Sequence, residues 1–185
     1  MAIRKVARMG HPVLREKARP LSEADIRSPE VQRLIDDMFD TMAEYQGIGL
    51  AAPQVYEGVR IFVAGNDPDL PIGSMTDDGV MPRFALINPE LTPVGRAVEA
   101  DWEGCLSIPD IRGQVPRARD ISVRAFDRTG KQIEFTASGF PARVIQHETD
   151  HLDGVLFFDR MRGFGTLTFL EEYQRYWRDE EDDET

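Results

Sequence analysis

The chain has one cysteine, Cys105, so no disulfide can form within it, and a small secreted scaffold held by cross-links is excluded. Histidine is nearly as scarce: there are three, and two of them, His147 and His151, lie four positions apart. Basic residues are outnumbered, 22 Lys and Arg against 33 Asp and Glu, and the formal net charge of −11 disfavours electrostatic binding to a phosphate backbone. No apolar run approaches the length of a membrane span, and residues 1–21 lack the continuous apolar stretch and small-residue cleavage pattern of a secretory signal. A soluble cytoplasmic protein with neither DNA nor membrane as partner is expected. The 185 residues, 41% of them hydrophobic, suit a single domain over 1–185 that closes on one core.

Ser28 before Pro29 marks a helix start and Gly47 a stop; between them Val31, Leu34, Ile35, Met38, Phe39 and Met42 recur at the spacing of one helical face. Short strands are expected over 60–64, 84–88, 94–102, 121–127 and 132–136, the last two forming a hairpin through the polar turn Asp127-Arg128-Thr129-Gly130-Lys131. Residues 65–83, rich in Pro, Gly and Asp, read as an irregular surface excursion, inert rather than a rim to a cleft. Pro141 opens a second helix that runs through His147 and His151 to about Gly154. A third, over 166–178, has Leu167, Leu170, Tyr173 and Trp177 as its apolar stripe and runs into a solvated acidic tail, 179–185. The pattern predicts an α+β fold: small antiparallel or mixed sheets around a central histidine-bearing helix, with an N-terminal and a C-terminal helix.

His147-Glu148-Thr149-Asp150-His151 is an HExxH pattern. Imidazoles four residues apart on a helix project from one face and can share an ion, and the glutamate between them sits where it can take a proton from a water and return it to a leaving amine. A catalytic ion of this type wants a third protein ligand and an open position. His11 lies in a Gly-His-Pro turn and reads as a turn histidine, whereas Cys105, in Glu103-Gly104-Cys105-Leu106-Ser107, offers a thiolate beside a glycine that admits close approach. A lone cysteine is also often a small buried hydrophobe, so composition alone leaves its role open. The run Gly47-Ile48-Gly49-Leu50-Ala51-Ala52-Pro53-Gln54 has too little side-chain volume for ordinary core and implies backbone lying close to something else; it lacks the lysine of a phosphate-binding loop.

Together GIGLAAPQ (47–54), EGCLS (103–107) and QHETDHLDG (146–154) resemble, in order, the three signature motifs of peptide deformylase, and a weaker resemblance covers most of the chain from the Gly10-His11-Pro12 turn to Phe158. The resemblance implies a metallohydrolase that removes the N-formyl group from the initiator methionine of new polypeptides, releasing formate. It makes Cys105, His147 and His151 the ligands of one divalent ion, Fe(II) in the cell, with Zn(II), Ni(II) or Co(II) possible in preparations. Glu148 becomes the general acid/base toward a water activated on that ion, and Gln54 with the backbone N–H of Leu106 the oxyanion donors. Ile48, Phe140 and Val144 would line a methionine pocket, the Gly49 backbone would pair with the peptide as an added strand, and Glu103, Gly104 and Arg112 are further substrate-binding candidates. Formylated nascent peptides are the implied partner, with transient proximity to the ribosome. Some family members dock near the exit tunnel through a basic C-terminal helix, and the acidic run 179–184 disfavours docking by that route here. A metalloprotease would usually complete its site with a downstream His or Glu, and a structural metal site or peptide-binding module would need neither Glu148 nor Gln54.

Overall fold

The computed structural model describes residues 2–70 and 80–178. A one-turn helix, α1 (Glu23–Ile26), precedes α2 (Pro29–Glu44), whose cap is the one expected: the Ser28 side chain accepts from Val31 N–H. The helix ends before Gly47. Gln46, with φ 55°, takes the left-handed position; its N–H donates to Ala43 O at 3.1 Å, and that of Gly47 donates to Met42 O at 2.8 Å.

Strand β1 (Gly49–Ala51) follows, then a turn of 3-10 helix (Ala52–Val55) and the strands β2 (Ile61–Ala64), β3 (Phe84–Pro93), β4 (Val98–Cys105), β5 (Ile108–Ala118), β6 (Asp120–Phe126) and β7 (Gln132–Ser138). Strand β7 leads directly into α3 (Gly139–Leu152), after which come α4 (Phe157–Arg160), β8 (Thr168–Phe169) and α5 (Leu170–Tyr176). Two antiparallel sheets result, a five-stranded one ordered β1-β2-β3-β6-β7 and a three-stranded one ordered β4-β5-β8.

Helices cover both faces of the larger sheet, which is why β2 reads as an unbroken apolar run instead of an alternating one. Ile61 and Val63 of β2, with Ala85 and Ile87 of β3, face the α2 side chains Leu34, Ile35, Met38 and Met42. Phe62, Phe84 and Leu86 point the other way, onto Val144, Ile145 and Leu152 of α3. A third cluster, Leu14, Ile108, Val115, Leu156 and Phe157 with Cys105, fastens the β4–β5 hairpin and α4 to the N-terminal segment.

Several sequence expectations change. Strand β5 went unread because Pro109, Gly113 and Pro116 argue against a strand, yet it pairs with β4 from Val98↔Ala118 to Cys105↔Ile108. The strand expected at 94–102 therefore begins and ends later, and the one expected at 84–88 continues to Pro93. The C-terminal helix is shorter than 166–178, since Thr168 and Phe169 pair with Arg112 and Ile111 as β8. It has no buried residue; Tyr173 and Trp177 meet Trp102, with ring centroids 4.9 and 5.7 Å apart. Of the excursion at 65–83, Asn66 and Asp67 are tied back to Met81 and Pro82. Its middle, 71–79, and the acidic tail, 179–185, lie outside the described residues. Gln46→Gly is expected to raise the unfolding free energy by about 0.5–1 kcal/mol, glycine's greater chain entropy offsetting part of the left-handed strain. The measurement is a urea transition: a higher midpoint at unchanged slope supports the left-handed cap, and a lower one rules it out.

Candidate active site

Helix α3 is the scaffold. Its entry tolerates Pro141 because a proline in the first turn removes an N–H that has no helical acceptor, and it closes at Gly154, φ 73°, where a Cβ would meet Arg15 O at 2.6 Å. The 3.6-residue period puts His147 and His151 on one face, with ring centroids 5.0 Å apart, and the end of β4 brings Cys105 against them. One ligand-type atom from each of the three residues falls within 4.8 Å of the others, and Cys105 Sγ stands 3.2 Å from His151 Nε2. Burial by itself would raise the Cys105 thiol, but the adjacent His151 and His147 rings hold it well below the usual range, which favours thiolate. Burial likewise opposes charge on His147, and its Cys105 and Glu103 partners outweigh it, raising the ring well above its ordinary value.

Glu148 faces the same space. Desolvation pushes its carboxyl up to about 7, against the downward pull of the two histidines. Its Oε2 is buried with no hydrogen-bond partner among the described residues, and the other carboxylate oxygen lies against the β1 backbone: a Cβ on Gly49 would stand 2.3 Å from Oε1. This is the close backbone approach that the small-residue run implied. Gln54 comes from the 3-10 turn after β1. Ala51 N–H donates to its Oε1 at 2.8 Å, which aims Nε2 at Ser107 Oγ, 3.1 Å away, and Cys105 Sγ, 3.5 Å away. One thiolate and two imidazoles suit a divalent ion with a position left open, and an orphaned buried carboxylate oxygen beside them fits a water held at that position.

Behind the histidines lies a buried ion network that motif reading missed. Glu103 Oε2 accepts from His147 Nδ1 at 2.8 Å, leaving His147 Nε2 as the nitrogen available to an ion. Arg117 donates to both Glu103 oxygens, at 2.9 and 3.0 Å, and also to Asp150; Arg143 donates to Glu103 Oε1 at 2.8 Å, and Arg160 to Asp150 at 2.7 Å. Burial would raise Glu103, but the hydrogen bonds from Arg117 and His147 hold it far below the carboxylate range. Asp150 was within reach of sequence reasoning, three residues after His147 on the same face; the arginines were not, because nothing local marks them as buried.

The remaining candidates fall as follows. Ile48 and Phe140 are partly buried against the cluster that contains Val144, so the three share one apolar surface. Leu106 sits in the turn after Cys105, its side chain so close to Gly47 that a Cβ there would lie 2.8 Å from Leu106 Cδ1. Arg112 lies over Gly104, where a Cβ would be 2.0 Å from its Nη1. Glu103, expected to meet substrate, has its carboxylate fully engaged with Arg117, Arg143 and His147, so only its backbone remains for that contact. His11 stands apart from this cluster; its Nδ1 accepts from Val13 N–H and its ring packs edge-on to Tyr56, as the turn reading expected.

Comparison with known proteins agrees with this geometry. The family model for polypeptide deformylase matches residues 3–166. The chain is 42% identical over 174 residues to peptide deformylase 1 of Prochlorococcus marinus, covering 94% of this chain and 88% of that protein. It is 43% identical to peptide deformylase 1 of Bordetella pertussis, covering 91% and 93%. The crystal structure of a class I type b peptide deformylase from Acinetobacter baumannii with Met-Ala-Ser bound superposes with a TM-score of 0.77 at 37% identity, over 86% of this chain and 99% of that one. Motifs, fold and overall likeness coincide over most of the chain, which belongs to the polypeptide deformylase family.

Proposed function

We propose that this protein, acting through its single catalytic domain, hydrolyses the N-formyl group from the N-terminal methionine of newly made polypeptides in the cytoplasm, yielding formate and a free amine. The observation that carries the reading is the convergence of Cys105, His147 and His151 beside a buried, unpartnered Glu148 oxygen and the aimed amide of Gln54. Membership of the deformylase family and the Met-Ala-Ser complex of the Acinetobacter relative support the substrate.

Cys105, His147 and His151 would hold one divalent ion, Fe(II) in our reading, a set of donors that also accepts Zn(II), Ni(II) or Co(II). Such an ion supplies an acidified water and a Lewis-acid contact for the formyl oxygen. Glu148 receives the proton as water adds to the formyl carbon, and a carboxyl raised toward neutrality by burial is suited to give it back to the amine as the C–N bond breaks. Gln54 Nε2 and the Leu106 N–H meet the charge that grows on the formyl oxygen; Ala51 fixes the glutamine amide, so the donor is held at the site before the charge forms. Ile48, Phe140 and Val144 receive the methionine side chain, Gly49 pairs with the peptide backbone as an added strand, and Arg112 beside Gly104 borders the chain that follows.

Anaerobic assay of formate release from formyl-Met-Ala-Ser tests the reading. The metal-loaded protein is expected to release formate, and Glu148→Ala to lose roughly 100-fold to 10,000-fold at equal metal content; no release by the loaded wild type overturns the proposal. Chelation should abolish release and Fe(II) or Co(II) restore it, whereas activity that survives verified metal loss removes the ion from the mechanism. Gly49→Ala should cut kcat by about 100-fold, because the new methyl displaces Glu148 from its place. Its metal content should match the wild type, and wild-type kcat would show that Glu148 works from another position.

A further inference from the structure

Two of the three candidate ligands stand on α3 and the third on β4, so the centre exists only if helix and hairpin dock. Among the side chains that span that dock without a part in the chemistry above, Arg143 reaches furthest across it. Arg143 is 6% exposed and lies one helical turn before His147. Its Nη1 donates to Glu103 Oε1 at 2.8 Å and to Val115 O at 2.7 Å, and its Nη2 to Glu99 O at 2.8 Å. It thus grips β4, β5 and the carboxylate that orients His147.

Arg117 plays a different part. It stands on β5 beside Glu103, within the hairpin, and crosses to α3 only at Asp150, three residues after His147. His147 is therefore held between two guanidinium clamps, Arg143 a turn before and Arg117–Asp150 a turn after. The two clamps share Glu103 Oε1, while Oε2 takes Arg117 and His147. Remove Arg143 and the carboxylate loses one of its two Oε1 donors, the N-terminal half of α3 loses a tie to both strands, and His147 can turn away from the point it shares with Cys105. A planar guanidinium can serve the carboxylate and carbonyls on both strands at once; an ammonium on a single stem cannot.

We propose that Arg143 is a positioning residue of the metal centre, setting the approach of α3 to the β4–β5 hairpin and, through Glu103, the direction of the His147 ring. The inference rests on the metal-binding reading given above. Its test is the dissociation constant for Co(II) or Zn(II), by competition with a chromophoric chelator, in wild type, Arg143→Met and Arg143→Lys. The Co(II) absorption spectrum and the melting temperature of the metal-free proteins are recorded alongside. Both variants are expected to bind about 10-fold to 100-fold more weakly, with shifted Co(II) ligand-field bands and no rescue by lysine. In a Glu103→Gln background the loss caused by Arg143→Met should shrink, whereas fully additive losses overturn the route through Glu103. Wild-type affinity and spectrum in the variants, whatever happens to melting, reduce Arg143 to a structural tie. If Arg143→Met does not fold, Arg143→Lys carries the same decision. A wild type without thiolate-to-cobalt absorption overturns the metal reading itself, a failure distinct from one seen only in the variants.

Discussion

A buried carboxylate, that of Glu103, has to be neutralised before the two halves of this molecule can meet. It reaches the end of β4 at 6% exposure and is met there by Arg117 from β5, Arg143 from α3 and the His147 ring. Uncompensated, such a charge would be intolerable in the interior, and removing one partner of a buried pair commonly costs about 3–5 kcal/mol. Folding therefore couples two outcomes: the hairpin and the helix satisfy each other's charges only in the docked arrangement, and that arrangement brings Cys105 to the histidines. Asp150 repeats the device one turn on, between Arg117 and Arg160.

Close approach is the second constraint. Three glycines around the centre lie where a methyl group would collide with working parts: Gly47 with Leu106, Gly49 with Glu148, Gly104 with Arg112. None of the three needs a left-handed backbone, since Gln46 rather than Gly47 occupies the positive-φ position at the end of α2. Their value is the absence of a side chain, which lets a β-strand edge lie directly against a carboxylate and leaves that carboxylate dry enough for its proton affinity to rise toward neutrality.

Much of this was legible in the chain. Ser28 and Pro29 marked the start of α2, and its apolar residues reappear in the cluster beneath the large sheet. The 127–131 turn joins β6 and β7 as a hairpin, and α3 carries both histidines to Gly154. What escaped shares a cause. Strand β5 is held by its partner β4 despite two prolines and a glycine, and β1 is only three residues, Gly49, Leu50 and Ala51, whose identity as a strand comes from pairing with β2. The expected C-terminal helix loses its first turn because Thr168 and Phe169 find a ladder partner in β5. Each is a case in which pairing across the fold overrides local preference.

The division at the centre follows the same line. That two imidazoles and a glutamate share one neighbourhood was determined by sequence alone, because a helix converts a four-residue spacing into adjacency without help from the rest of the molecule. The motif resemblance pointed to Cys105 and Gln54, but that Cys105 Sγ meets the histidines, that the Gln54 amide held by Ala51 faces them, and that Arg117 and Arg143 stand behind His147 was decided by the tertiary structure. Gln54, Cys105 and Arg117 lie tens of positions from the two histidines, and although Arg143 is only one helical turn from His147, its acceptors Glu99, Glu103 and Val115 are far off in the chain; only the docking of α3 on the hairpin, driven by burial and by pairing of charge, brings them together.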